Sequence, residues 1–262
     1  MELIDTHCHL TFEQLAGIVD AVLQRSSNAG VTSWITVGTD PNENKKALSL
    51  SDKYQNLYAA LGIHPHEAKK TNEADLKELQ QQAKSAEGGK VVAIGETGLD
   101  YHYNFSPPAD QAGLFKAHLQ IAAELNLPVI IHSREAFDDT VKILNDYRSS
   151  LKKVVFHCFS YSPEQAKILL DFGYFLSFTG VVTFKGAALT KEAAKIVPPD
   201  RLMIETDCPY MTPAPMRKQK VNEPAFLIHT AKFLAELRQL PLEDFANAVA
   251  STTRSFFGLT KK

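Results

Sequence analysis

The sequence has 262 residues, 44% of them hydrophobic, so the chain can bury a large core. Its 28 basic and 30 acidic side chains give a formal net charge of -2, which argues against broad, non-specific binding to duplex nucleic acid. The N-terminus predicts no signal peptide, no apolar run predicts a membrane span, and the three cysteines are widely scattered. We therefore expect a protein of the reducing cytoplasm that has no membrane partner.

Short β-branched apolar runs alternate with longer stretches of helical character along the chain. The runs predict eight strands: Glu2–Thr6, Ser33–Gly38, Leu57–Gly62, Val91–Gly95, Pro128–His132, Val154–His157, Tyr174–Phe178 and Arg201–Thr206. The intervals predict helices over Phe12–Ala29, Asn42–Lys53, Glu73–Glu87, Pro108–Asn126, Glu135–Ser149, Gly186–Ile196, Pro224–Arg238 and Leu242–Phe257, and one that begins at Ser162-Pro163-Glu164.

This alternation of strand and helix predicts an α/β fold with parallel strands and helical crossovers. Eight such units in one chain of this length favour a single (β/α)8 TIM barrel domain over residues 1–262, with its site at the C-terminal ends of the strands. The alternative is an open, doubly wound sheet that binds a nucleotide. No Gly-x-Gly-x-x-Gly or Walker-type loop follows the first strand, which argues against that alternative.

Metal-capable polar side chains stand at the C-terminal ends of most predicted strands. His7 and His9 lie two residues apart at the end of the first strand, so their side chains point to the same face. The later strand ends carry His64, His66, Glu96, Asp100, His132, Arg134, His157, Glu205 and Asp207. A hydrogen-bonded polar pair would explain His7 and His9 alone, but the other strand ends favour one shared site.

Four of the imidazoles and two of the carboxylates form a set too large for one structural zinc ion. The set suits two divalent ions that share a bridging carboxylate and a water. The assignment gives His7, His9 and Asp207 to one ion, His132 and His157 to the other, and Glu96 to both. Such a set accepts Mg, Zn or Mn, and its imidazoles favour Zn or Mn.

The motifs that carry these residues resemble the TatD family of metal-dependent deoxyribonucleases, within the amidohydrolase-like barrel hydrolases. The matching segments are Asp5-Thr6-His7-Cys8-His9, Gly62-Ile63-His64-Pro65, Gly95–Tyr101, Pro128–Arg134, His157-Cys158-Phe159-Ser160 and Glu205-Thr206-Asp207. The resemblance implies a two-metal phosphodiester hydrolase, a 3′-5′ exodeoxyribonuclease, with magnesium as the expected ion. The segment Arg217–Pro224 departs from the family pattern, because it has an apparent extra residue and no glycine.

Five residues receive roles in the predicted reaction. Asp207 orients or deprotonates the attacking water, and Glu96 bridges the ions. The resemblance places His64 beside the metals, where it hydrogen-bonds the phosphate or donates a proton to the leaving oxygen. Arg134 offers a planar fork to a phosphate, and Arg217 belongs to a basic loop that follows the last strand.

Each predicted substrate contact also has a structural alternative. His64 precedes a proline and suits a structural role, and Arg134 suits an ion pair with Glu135 or Asp138. The Arg217–Lys220 run suits a solvated loop. Two other function classes stay open: a metal-dependent amidase or lactonase that acts on a small carbonyl substrate, and a non-catalytic barrel. The favoured partner is single-stranded or end-frayed DNA, bound by a monomer.

Overall fold

The computed structural model describes residues 1–85 and 89–260. Its eight strands are β1 (Leu3–Cys8), β2 (Val31–Val37), β3 (Leu57–Leu61), β4 (Val91–Asp100), β5 (Val129–Arg134), β6 (Val154–Phe156), β7 (Phe175–Phe178) and β8 (Leu202–Ile204). The α-helices are α1 (Glu13–Ala16), α2 (Val19–Asn28), α3 (Pro41–Lys53), α4 (Glu73–Ser85), α5 (Pro108–Leu125), α6 (Phe137–Tyr147), α7 (Pro163–Asp171), α8 (Ala188–Ile196), α9 (Leu227–Leu237) and α10 (Leu242–Phe257).

The strands form one sheet whose order, β1 to β8, follows the order of the chain. A doubly wound sheet reverses its strand order at a switch point, so this order excludes the open-sheet alternative. Cys8 and Cys208 form a parallel bridge that joins the end of β1 to the segment after β8. The predicted class, an α/β fold with a (β/α)8 TIM barrel, is confirmed.

The chain divides into two compact units, residues 1–36 with 158–262 and residues 37–157. In the first unit β7 pairs with β8 and β1 pairs with β2, all in parallel, and every residue of β1 is buried. Helix α10 buries Phe245, Val249 and Phe256 in this unit, at the spacing of one helical face. The predicted single domain over residues 1–262 stays a prediction.

The second unit holds β3 to β6, which pair in parallel in that order. Strand β4 runs to Asp100, so its predicted end at Gly95 is wrong. The reason is the close approach of β5, since a Cβ on Gly95 would lie 2.5 Å from Ile130 O and one on Gly98 would lie 2.0 Å from His132 O. These glycines let two backbones meet and do not end the strand.

Two of the helix predictions need correction. The single helix expected over residues 12–29 is two helices, α1 and α2, because Gly17 ends the first and Ile18 has φ -133°, outside the helical range. The stretch expected over residues 224–238 starts with a 3-10 turn, Pro224–Phe226, before α9. The predicted end of α4 at Glu87 lies outside the described residues.

The start of α7 agrees with its sequence signal. Ser162 and Gln165 form a reciprocal capping box, and Pro163 occupies the first turn. Among residues 1–85 and 89–260, no helix combines the length and apolar character needed to cross a bilayer.

Candidate metal centre

His7, His9 and Asp207 come together in the first unit, and we call these three residues cluster one. His7 Nε2 and His9 Nε2 lie 3.2 Å apart, and Asp207 Oδ1 lies 3.9 Å from the first and 3.4 Å from the second. All three residues are buried. Two imidazole nitrogens and a carboxylate oxygen that converge in this way form a donor set for a divalent cation.

The backbone at the end of β1 explains why these side chains meet. Residues alternate faces along β1, so Cys8 turns away from the two histidines, and its Sγ contacts Ile35 O at 3.3 Å. Asp207 N donates to His7 O at 2.9 Å, and His9 N donates to Cys208 O at 2.8 Å. The predicted strand through Thr206 is wrong, since β8 ends at Ile204 and Asp207 has a left-handed φ of 53°.

Asp5 is a buried carboxyl that supports cluster one and that sequence reasoning left without a role. Its Oδ1 accepts from Thr206 N at 2.9 Å, and its Oδ2 accepts from Thr206 Oγ1 at 2.6 Å. Burial raises the pKa of Asp5 to about 7, and the hydrogen bonds from Thr206 offset only part of this rise. Asp5 thereby fixes the peptide that leads into Asp207.

Glu205 lies in the same unit and is 1% exposed. It accepts hydrogen bonds from Ser177 Oγ at 2.6 Å, from Cys158 N at 2.6 Å and from Thr6 Oγ1 at 3.3 Å. In a regular strand Glu205 would share a face with Asp207, which lies two residues later. These hydroxyl and backbone donors hold the Glu205 carboxylate in place.

Glu96, His132, His157 and His64 come together in the second unit, and we call these four residues cluster two. Glu96 Oε1 lies 2.6 Å from His132 Nδ1, 2.9 Å from His157 Nε2 and 3.4 Å from His64 Nε2. Burial raises the pKa of Glu96, but the surrounding imidazoles outweigh this effect and hold the pKa well below its usual range. Glu96 is therefore a carboxylate, ready to bind a cation.

Asp100 orients the His132 ring. His132 Nε2 lies 3.1 Å from Asp100 Oδ2, and His132 Nδ1 lies 2.6 Å from Glu96 Oε1 and 3.2 Å from His157 Nε2. Burial disfavours the charged ring, but the hydrogen bonds with Asp100 and Glu96 raise the pKa of His132. With a proton on Nε2 held by Asp100, Nδ1 is the nitrogen that can bind a metal. Burial disfavours the Asp100 carboxylate, but hydrogen bonds from His132 and His66 lower its pKa well below the usual range. Asp100 was one of the predicted strand-end residues, but no role in the reaction was predicted for it.

His64 differs from the other histidines of cluster two. Its Nδ1 accepts the backbone N–H of His66 at 3.2 Å, so in the neutral ring the proton lies on Nε2, which faces Glu96. Burial lowers the pKa of His64 to about 4, so the ring is neutral at pH 7. This tautomer makes His64 Nε2 a hydrogen-bond donor in the site. His64 also belongs, with Glu96 and His132, to a group of side chains that could hold a metal ion, so its substrate contact stays a prediction.

The two candidate arginines both lie over aromatic rings. Arg134 Cζ lies 4.7 Å from the centroid of the Tyr103 ring, and Arg217 Cζ lies 4.1 Å from that of Phe184. Glu135, a suggested partner of Arg134, instead pairs with His102 at 2.6 Å. Lys218 and Lys220 of the basic loop are exposed.

The residues present fit divalent metal ions. Cluster one supplies two imidazoles and a carboxylate, and cluster two supplies a carboxylate with His132 and His157 around it. In cluster two His132 Nδ1 faces a carboxylate oxygen of Glu96. Two such acceptor atoms repel each other unless a proton or a metal cation lies between them. The roles of the individual side chains as ligands stay predictions, as does the bridging role of Glu96.

The fold and these clusters define a metal-dependent hydrolase of the (β/α)8 class. The model of the TatD related DNase family matches residues 4–258. The chain therefore belongs to this family.

Relatives and a solved structure agree with this assignment. The metal-dependent hydrolase YabD of Bacillus subtilis is 38% identical over 97% of this chain and 98% of its own length. The 3′-5′ ssDNA/RNA exonuclease TatD of Erwinia amylovora is 36% identical over 98% of this chain and 100% of its own. The crystal structure of YjjV, a TatD homologue from Escherichia coli, superposes with a TM-score of 0.93 at 34% identity and 98% coverage of both chains.

Proposed function

We propose that the protein is a metal-dependent exonuclease that removes nucleotides from the 3′ end of single-stranded DNA. The observation that carries the proposal is the convergence of three imidazole nitrogens on one carboxylate oxygen of Glu96, within 3.4 Å, in a chain of the TatD related DNase family. A relative named as a 3′-5′ ssDNA/RNA exonuclease supports the substrate class. The anionic substrate also suits the cationic charge that bound metals bring.

In the proposed site, cluster one holds one divalent ion and cluster two holds another. When bound, such ions supply a hydroxide at neutral pH and stabilise the charge on the phosphoryl oxygens. Asp207 accepts a hydrogen bond from the attacking water and orients it. His64, neutral at pH 7, donates its Nε2–H to a phosphoryl oxygen, because its lowered pKa leaves almost no imidazolium to act as an acid. Arg134 and Arg217 bind the flanking phosphates.

The test is a time course with single-stranded DNA labelled at its 5′ end, a matched RNA, and a panel of lactones and acyl amides. Metal-free protein is compared with protein given Mg, Mn or Zn. We expect shortening of the DNA from its 3′ end, dependent on metal. Hydrolysis of a lactone or amide with no nucleic acid cleavage would instead identify the carbonyl hydrolase alternative.

Glu96→Gln is the matched variant for this test, because it keeps the size of the side chain and removes its charge. We expect a loss of at least about 100-fold in kcat/KM from the removal of a charged ligand. Glu192→Gln is the control, since Glu192 is exposed on α8 and pairs only locally with Lys195. Metal-independent cleavage, or full activity in Glu96→Gln, would contradict the proposal.

Three further properties stay predictions. We expect a cytoplasmic location, in keeping with three cysteines that are free thiols. We expect a monomer, which sedimentation can test. We expect magnesium by resemblance to the family, whereas imidazole ligands favour zinc or manganese, and metal analysis of the purified protein decides between them.

A further inference from the structure

Two large aromatic side chains are exposed in the loop between β4 and α5. Tyr103 is 49% exposed and Phe105 is 56% exposed, although each could be buried at a gain in stability. Their rings stack, with centroids 5.4 Å apart and planes at 17°. A single exposed apolar residue needs no explanation, but a stacked aromatic pair is a surface suited to a flat, apolar ligand.

The loop that carries this pair is held in place by hydrogen bonds. Tyr103 N donates to Asp100 Oδ1 at 2.9 Å, next to the Asp100 oxygen that orients His132. Ser106 Oγ donates to His66 O at 2.7 Å and accepts from Lys69 N at 3.1 Å. The pair is therefore a fixed surface and is anchored to the same carboxylate as cluster two.

The pair also lies one side chain away from cluster two. The His66 ring centroid lies 4.7 Å from that of Phe105 and 5.6 Å from that of Tyr103. On its other side, the same ring lies 4.1 Å from the His64 ring centroid. A nucleotide with its phosphate at His64 would thus have its base within reach of the exposed rings.

Arg134 completes the arrangement. Its guanidinium lies over the Tyr103 ring at 4.7 Å, and in the described part of the chain it forms no ion pair with a carboxylate. It is therefore available to an anion beside the aromatic surface. Exposed aromatic rings next to an arginine are the recurring means by which proteins bind single-stranded nucleic acid without sequence preference.

We propose that Tyr103 and Phe105 form a stacking platform for an unpaired nucleobase of the substrate, while Arg134 binds an adjoining phosphate. The inference rests on the proposed function and adds to it a subsite that recognises the base. Bases within a duplex have their faces covered by their neighbours, so the platform favours single strands and frayed ends over duplexes. The platform contacts the π-face of the base, which all four bases have, so it discriminates weakly between them.

The test compares single-stranded DNA with the same strand in which the 3′-terminal nucleotides are abasic tetrahydrofuran residues. Phe105→Ala is expected to lower kcat/KM on the base-bearing strand by on the order of 10-fold and to change kcat/KM on the abasic strand much less. Phe105→Trp keeps the platform and is expected to retain activity. Leu189→Ala is the control, because Leu189 is 60% exposed on α8.

Equilibrium binding separates this inference from the proposed function. Fluorescence anisotropy with the same two strands, in the absence of metal, is expected to show that the base-bearing strand binds more tightly than the abasic strand. Phe105→Ala is expected to abolish this difference in affinity. Base-dependent binding, with no hydrolysis when Mg, Mn or Zn is added, would overturn the proposed function and leave the platform standing. Metal-dependent cleavage that is equally fast on both strands, or equally reduced on both by Phe105→Ala, would overturn the platform.

Discussion

At the residue scale, Asp100 and His132 illustrate how a neighbouring carboxylate can orient a candidate metal ligand. The Asp100 carboxylate accepts a hydrogen bond from His132 Nε2, which leaves Nδ1, on the side of Glu96, as the nitrogen that can bind a metal. Asp100 is 0% exposed, and its Oδ2 also forms a hydrogen bond with His66 Nε2 at 3.0 Å, so the carboxylate is held firmly.

Asp100→Asn is therefore expected to weaken metal binding at cluster two by about 10- to 100-fold, because the amide is a poorer acceptor and lets the His132 ring turn. Isothermal titration with Zn or Mn measures this change. Asp139→Asn is the control, since Asp139 accepts only an exposed hydrogen bond, from Tyr101 Oη at 2.8 Å. Equal affinities of Asp100→Asn and the wild type would contradict the orienting role.

His118 is a second residue whose protonation state matters, although it lies outside both clusters. Its Nε2 accepts from Ile63 N at 2.9 Å and its Nδ1 donates to Leu114 O at 2.9 Å. It therefore supports the segment that leads into His64. Burial lowers the pKa of His118 from 6.5 to about 4.

The neutral His118 is favoured in the fold, so its contribution to stability is complete above pH 6.5 and is lost as the pH falls towards 4. At pH 5 the loss is expected to be about 2 kcal/mol. Urea unfolding at pH 8 and pH 5 measures it. In His118→Gln, whose side chain does not titrate, the loss of unfolding free energy between pH 8 and pH 5 is expected to be smaller than in the wild type by that amount. An identical pH dependence in the two proteins would contradict the lowered pKa of His118.

At the scale of elements, β4 shows where sequence reasoning succeeded and where it failed. The eight strands were predictable because each is a short apolar run between breakers. The end of β4 was missed because Gly95 and Gly98 resemble a turn, and only the approach of β5 shows their purpose. The side chains of both clusters were predictable from the strand-end rule, whereas Asp100 was not, because its role depends on the direction of another ring.

Gly98→Ala is expected to destabilise the protein by about 3 kcal/mol, because Gly98 has φ 144° and the new Cβ would lie 2.0 Å from His132 O. It is also expected to displace His132 and weaken metal binding. Urea unfolding and metal titration measure the two effects. Gly113→Ala in α5 is the control, since nothing lies within 4 Å of the position that the new Cβ would take. This substitution is expected to stabilise the helix slightly.

At the scale of the whole molecule, the ligands divide between the two units of the chain. Cluster one belongs to residues 1–36 with 158–262, and cluster two belongs to residues 37–157. His9 belongs only to cluster one and His132 only to cluster two, so a variant of either is expected to affect one of the two proposed ions most.

We expect two divalent ions per chain in the wild type, one in His9→Ala and one in His132→Ala, because each variant loses a ligand of one cluster only. Elemental analysis after gel filtration measures the content. Bound metal is also expected to raise the Tm, since it binds the folded chain, and a chelator should reverse the rise. A wild type that holds one ion, or a Tm indifferent to the chelator, would contradict this prediction.

The distribution of ligands along the chain has a consequence for biosynthesis. Cluster two is complete in sequence once His157 has been made, but cluster one needs Asp207, 200 residues after His7. A ribosome-bound chain therefore exposes one full set of ligands while the other still consists of two neighbouring histidines near its N-terminus. In the proposed two-ion assignment, cluster two can therefore bind its cation during translation, whereas cluster one can bind its cation only after the last strand has emerged from the ribosome.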